Sequence, residues 1–164
     1  MTASEQRLID ELNIQKLTAA YSHAIMRLDA RAAAATYAEN GILSAFYAPD
    51  IIGRQAIAKI LTTTLSPIQF ICQTSTAGVI DVDGDQARAS WTITELLRFR
   101  DKDELACCFG LYEDVLERHP GGWHFVSRRF VPFYRGSIPS TGKTYQVPPF
   151  KHDYSPWPLL INLD

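Results

Sequence analysis

Cysteine is scarce in this chain of 164 residues: only Cys72, Cys107 and Cys108. The number is odd, and two are neighbours that a strand would point to opposite faces, so no disulfide framework is expected. Three buried apolar thiols and a cytoplasmic home are the expectation. Histidine is scarce too, with His23, His119, His124 and His152. There is no HExxH, CxxC, GxSxG or glycine-rich phosphate loop. Metal sites need several His or Cys at suitable spacing, so neither a metal nor a bound cofactor is expected. No apolar run approaches the ~18 residues of a membrane span. The polar stretch Met1 to Asp10 does not read as a signal peptide. Charge of one sign is also lacking. The formal net charge is −2, which leaves no basic footprint for nucleic acid.

What is there is an ordinary globular composition, 46% hydrophobic and 21% charged, at a length that suits one domain. Leu8, Leu12, Ile14, Leu17, Tyr21, Ala24, Ile25 and Leu28 recur at helical spacing and predict a helix over 5–28. Alanines predict a second helix over 30–38, ended by Asn40-Gly41. Ile42 to Tyr47 reads as a strand, Pro49 to Gly53 as a turn, and 54–61 as a third helix. After Pro67 the period changes to that of strands: 68–82, 86–100, 105–118 and 123–134. Asp83-Gly84-Asp85, Asp101-Lys102-Asp103 and Pro120-Gly121-Gly122 supply the turns.

Helices first and strands after mean α+β. Strands this long must coil, and a coiled sheet has a concave side that helices fill only in part. An apolar pocket is the expected remainder. Residues 136–164 differ, with five prolines among aromatic and aliphatic residues. The expected organisation is a domain over 1–135 and an extended tail over 136–164, lying on the domain or on a neighbouring subunit.

Five stretches, "IQKLTAAYSHAIMRLDARAAAATYAENGIL", "GRQAIAKIL", "VIDVDGDQARASW", "GLYEDVLER" and "GGWHFVSRRF", span residues 14–130. In order and spacing they resemble the SnoaL-like branch of the NTF2-like superfamily. The resemblance implies a cone-shaped α+β barrel of cystatin-like kind, with three N-terminal helices on a strongly curved, mostly antiparallel sheet. Members of the branch include polyketide cyclases, dehydratases, isomerases, a dehydrochlorinase, dioxygenase small subunits and non-catalytic binders. The fold therefore does not fix the reaction. It also implies a homodimer or homotrimer, built on the outer face of the sheet.

Asp29 follows Tyr21 by eight residues, about 2.2 helical turns, which places both on one face with Ile25. A carboxylate held there in apolar surroundings would be a usable base; the same residue would also suit the cap of the second helix. Asp29 matches the acid that dehydrochlorinase-like members pair with a His. Where lyase-like members carry that His and a later Asn, this chain has Gln73 and Ala77. Where many carry an acid three residues before Asp29, it has Met26. Gln73 can hydrogen-bond but cannot exchange a proton near neutral pH.

Arg128 matches a pocket Arg of the family. It would bind an oxyanion or carbonyl through its donor fork, or else pair with Asp114 or Glu113 on the adjacent strand. Glu95 shares a strand face with Ala87, Ala89, Trp91 and Ile93: a buried acid if that face is concave, a solvated one otherwise. Tyr21, Tyr47, Trp91 and Tyr112 are candidate pocket walls or plain core. His152 enters only if the tail folds over the pocket. The catalytic expectation is thus Asp29 and Arg128, with Tyr21, Met26, Tyr47, Gln73, Trp91, Glu95 and Tyr112 around a substrate. The expected activity is that of a cofactor-free lyase or isomerase on a small hydrophobic cyclic molecule. The alternatives are a non-catalytic binding or accessory protein and a structural homo-oligomer.

Overall fold

The computed structural model describes residues 2–45 and 48–139. Tyr47, His152 and residues 140–164 of the tail lie outside the described residues. The elements are α1 (Ala3–Met26), α2 (Ala30–Ala35), β1 (Tyr37–Ala45), β2 (Ala48–Ile52), α3 (Arg54–Leu65), β3 (Ile68–Asp83), β4 (Gln86–Phe99), β5 (Glu104–His119) and β6 (Gly122–Pro139). Six strands form one curved sheet in the order β2-β1-β6-β5-β4-β3. Every pairing is antiparallel except β1 with β6. The three helices pack on it, as the α+β, NTF2-like expectation requires.

α1 starts on a capping box, in which Thr2 receives the Glu5 amide and Glu5 receives that of Thr2, satisfying two otherwise orphaned donors. Its inward face differs from the expected apolar stripe. Leu8 and Leu12 are exposed, and Asp10, Ile14, Thr18, Tyr21, Ser22, Ala24 and Ile25 are buried. Ile14, Tyr21, Ala24 and Ile25 are those the periodicity predicted; it missed Asp10, Thr18 and Ser22 because they are polar.

The second helix is shorter than expected. It ends at Ala35, and Tyr37 opens β1 opposite Phe125. Pairing with β6 overrides the helical preference of the alanines. Gly41 does not end a helix with a left-handed turn; it sits inside β1. A Cβ there would approach the Phe125 carbonyl oxygen and the Tyr37 Cβ to 2.9 Å, so only glycine lets β1 and β6 come this close. β2 replaces the expected Pro49 to Gly53 turn. It is an edge strand, where proline is tolerated. The last strand runs on past Tyr134 to Pro139.

β3 breaks register between Thr76 and Val79. There Ala77 adopts a φ of 49°, and Gly78 lies flat on the Trp91 ring, which any side chain would strike. The kink curves the sheet and lets Trp91 lie under it. A left-handed Ala costs roughly 1–2 kcal/mol. Ala77→Gly is therefore expected to stabilise the protein by about 0.5–1 kcal/mol in urea denaturation; an unchanged or lowered midpoint would contradict strain at this site. No helix among the described residues is long and apolar enough to cross a membrane.

Candidate functional site

Alternation along the strands decides which side chains reach the inner face. On β4, Ala87, Ala89, Trp91 and Ile93 are buried, and Glu95 continues their face two residues on. Opposite Glu95 on β3 stands Gln73, and opposite it on β5 stands Cys108. Opposite Trp91 stands Tyr112, which in turn faces Phe130 on β6. Arg128 of β6 faces Asp114 of β5. α1 closes the layer with Tyr21, while the Ser22 and Ser75 hydroxyls meet at 3.0 Å.

Arg128 is fully buried. Its Nε and Nη2 donate to the two Asp114 oxygens at 2.8 and 2.7 Å. The guanidinium carbon stacks 3.8 Å from the Phe125 ring centre, 4.3 Å from Tyr112 and 4.6 Å from Tyr21. Burial works against its charge, but Asp114 outweighs burial and holds the group above its ordinary range. Nη1 has no hydrogen-bond partner among the described residues.

The other end of Tyr112 meets a second polar set. Gln73 Nε2 donates to Glu95 Oε1 at 2.6 Å and to the Tyr112 hydroxyl at 3.1 Å. Burial pushes the Glu95 carboxyl up, against the pull of the Gln73 amide and Arg135. Burial, with Glu95 beside it, pushes the Cys108 thiol up to about 11. Burial also raises Tyr21, Tyr37 and Tyr112, so all three are protonated near neutral pH. Gln73 Oε1, Trp91 Nε1 and Thr18 Oγ1 are buried without a partner among the described residues. Each such atom costs about 1–3 kcal/mol. Buried unpaired donors and acceptors are what a polar ligand or a water would satisfy. Among the described residues no group of three or more His, Cys, Asp or Glu is placed to hold a metal ion.

Of the residues named from sequence, Tyr21, Gln73, Trp91, Glu95, Tyr112 and Arg128 come together. Asp29 does not, and this corrects the expectation. Its carboxylate accepts the Ala32 amide at 2.9 Å, caps α2 and is exposed. Counting turns from Tyr21 fails because α1 ends at Met26, and Leu28 takes a φ of 59°. The Asp29 amide then bonds back to the Ala24 carbonyl at 2.9 Å, as in a helix-ending turn. Met26 is half-buried in the last turn of α1, and nothing places it with the cluster. Tyr37 was missed, hidden in a stretch read as helix. It is fully buried, 6.1 Å from Tyr21 between ring centres and 5.5 Å from Phe125.

The SnoaL-like domain family matches residues 6–129. The chain belongs to this family, within the NTF2-like superfamily. Among solved structures, this SnoaL-like chain is similar to hexachlorocyclohexane dehydrochlorinase LinA-type3 from Novosphingobium barchaimii LL02. The identity is 15% and the TM-score 0.77, over 90% of this chain and all of that one. It is also similar to a scytalone dehydratase candidate from Novosphingobium aromaticivorans DSM 12444. There the identity is 17% and the TM-score 0.76, over 92% of this chain and 99% of the other. A third is an NTF2-like protein with a cystatin-like fold from Novosphingobium aromaticivorans, with 21% identity and a TM-score of 0.64 over 80% and 87% of the two chains. No curated protein matches the chain in sequence. At these identities the likeness is one of fold.

Proposed function

We propose that this SnoaL-like protein is a cofactor-independent lyase or isomerase acting on a small, hydrophobic, cyclic molecule held on the inner face of the sheet. The observation that carries the reading is Arg128. A buried guanidinium, ringed by Tyr21, Tyr112 and Phe125, keeps one N–H direction unpaired among the described residues. Fixed donors in water-poor surroundings stabilise an oxygen that gains charge during reaction. Aromatic walls suit a ring. The dehydrochlorinase and dehydratase names of the similar structures agree with chemistry of this kind.

The exposed position of Asp29, with Gln73 where lyase-like relatives have His, favours a second reading: a binding or accessory protein that does no chemistry. One experiment separates the two. The protein is incubated with cyclic ketones, hydroxyketones and chlorinated cyclohexanes, with binding followed by native mass spectrometry and products by chromatography. Conversion of any bound compound is the expected result. Tight binding with no product across the panel favours the accessory role, and no binding at all removes both readings. Self-association as a homodimer or homotrimer is part of the proposal. The outer face of the sheet exposes Phe109, Val115, Tyr134 and Ile138, apolar side chains that a second copy would cover.

A further inference from the structure

We propose that Glu95 is the proton-transfer residue of this site and that Gln73 positions it. The inference rests on the proposed function and names the group that carries out its central step. Asp29 is turned away as a helix cap, and Gln73 cannot itself exchange a proton. Of the carboxylates on the inner face, Asp10 and Asp114 are each bound by an arginine at both oxygens. Glu95 accepts from the Gln73 amide and keeps some exposure; Arg135 favours its charged form, but burial outweighs both. An arginine fixes a carboxylate in its charged form. An amide does not, because it carries a donor and an acceptor on one carbon. With Glu95 ionised, the Gln73 NH2 donates to it at 2.6 Å. With Glu95 protonated, a half-turn of the amide presents Oε1 as an acceptor for the new O–H. Gln73 Oε1 is buried and unpartnered among the described residues, so that turn breaks no bond to it.

The reaction surface is compact. Tyr112 touches Gln73 with its hydroxyl and Arg128 with its ring. In the step proposed, the Glu95 carboxylate takes a proton from the carbon beside a ring carbonyl. The C–H electron pair forms a C=C bond, and the carbonyl π pair moves onto oxygen, opposite Arg128 Nη1. Where the ring carries a C=C bond β,γ to the carbonyl, the intermediate is a dienolate: the proton passes from Glu95 to its γ-carbon, the carbonyl re-forms, and the double bond ends α,β to it, giving an isomer. Alternatively it passes to a departing hydroxyl, which leaves as water while the carbonyl re-forms. Either course regenerates the carboxylate.

The groups facing Glu95 are Gln73 on β3, Cys108 and Tyr112 on β5, Arg135 on β6 and Tyr21 on α1. The cysteine and both tyrosines are neutral near pH 7, so the acid limb of a pH profile reports Glu95. Burial raises its carboxyl. Activity therefore appears as pH rises through that raised value and is lost below it. The stability effect has the opposite sign: protonated Glu95 favours the fold at low pH, and that contribution is lost as pH rises through the folded value.

The test is deuterium uptake from D2O into the α-carbons of 2-indanone, a cyclic carbon acid, read by proton NMR with binding followed by saturation transfer. Wild type should exchange it well above the buffer rate. Glu95→Gln should bind it and lose at least ~100-fold, with a melting temperature at pH 8 no lower than wild type. Glu95→Asp should retain part of the activity, and carries the test if Glu95→Gln misfolds. Gln73→Leu removes the donor that holds Glu95 down, so its acid limb should move to higher pH, and Gln73→Asn should restore it toward wild type. A merely structural Gln73 would leave the limb in place. Exchange by Glu95→Gln as fast as wild type overturns the assignment while leaving the proposed function standing. Wild-type exchange at the buffer rate despite binding overturns both.

Discussion

Asp114→Ala is expected to destabilise the protein by about 3–5 kcal/mol, measured as the loss in unfolding free energy in urea. Asp114 and Arg128 both have side chains with 0% exposure, so neither reaches water when its partner goes. The cost of the variant is mainly that of a guanidinium left charged and stripped of its Asp114 hydrogen bonds among Phe125, Tyr112 and Tyr21. Domains hold only about 5–15 kcal/mol in all, so the variant should sit close to the edge of folding. A melting point lower by on the order of 10 °C is the thermal counterpart. The control is Asp114→Leu with Arg128→Met. Removing both charges together should recover most of the loss, since a buried pair replaced by apolar groups of similar size is often neutral. A double variant as unstable as the single would mean that packing, not the stranded charge, sets the cost. The same double variant should lose any activity, because the donor proposed to bind the substrate oxygen goes with it.

The pairing of Arg128 with Asp114 was legible in sequence as one of two options, since the strand register follows from the turn at Pro120 to Gly122. Glu95 was legible in the same way: alternation with Trp91 and Ile93 put it inside once the face was known to be concave. The long antiparallel strands and the first and third helices followed from period and turn chemistry. β1 and β2 did not. Local preference favours helix through Ala38 and a turn at Pro49, and pairing with β6 overrides it. Asp29 failed for a subtler reason. A count at 100° per residue assumes that the helix goes on, and the left-handed Leu28 ends that count one residue before Asp29. The inward polar residues of α1 were illegible because hydrophobic periodicity gives Asp10, Thr18 and Ser22 no weight.

Asp10 is the sharpest case of that blindness, and Asp10→Ala is expected to cost about 2–4 kcal/mol in the same denaturation measurement. Its carboxylate is 2% exposed and accepts from three side chains. Arg118 donates to both oxygens at 2.8 Å, Trp123 Nε1 at 3.1 Å and Gln6 Nε2 at 3.2 Å. Arg118 also reaches the Gly84 carbonyl at 3.1 Å and Asp85 at 2.9 Å. One buried carboxylate thus ties α1 to β5, to β6 and to the β3–β4 turn. Losing it strands the Trp123 N–H, but Arg118 is 29% exposed and can turn to water and Asp85. The loss should therefore be smaller than that of Asp114→Ala, where no such escape exists. Asp10→Asn keeps the volume and one acceptor oxygen, so it should fall between wild type and Asp10→Ala. Solvent access to the abandoned partner is what sets this order. If Asp10→Ala proved the costlier of the two alanine variants, the anchoring of α1 to the sheet would outweigh desolvation of the arginine as the main source of stability at these pairs.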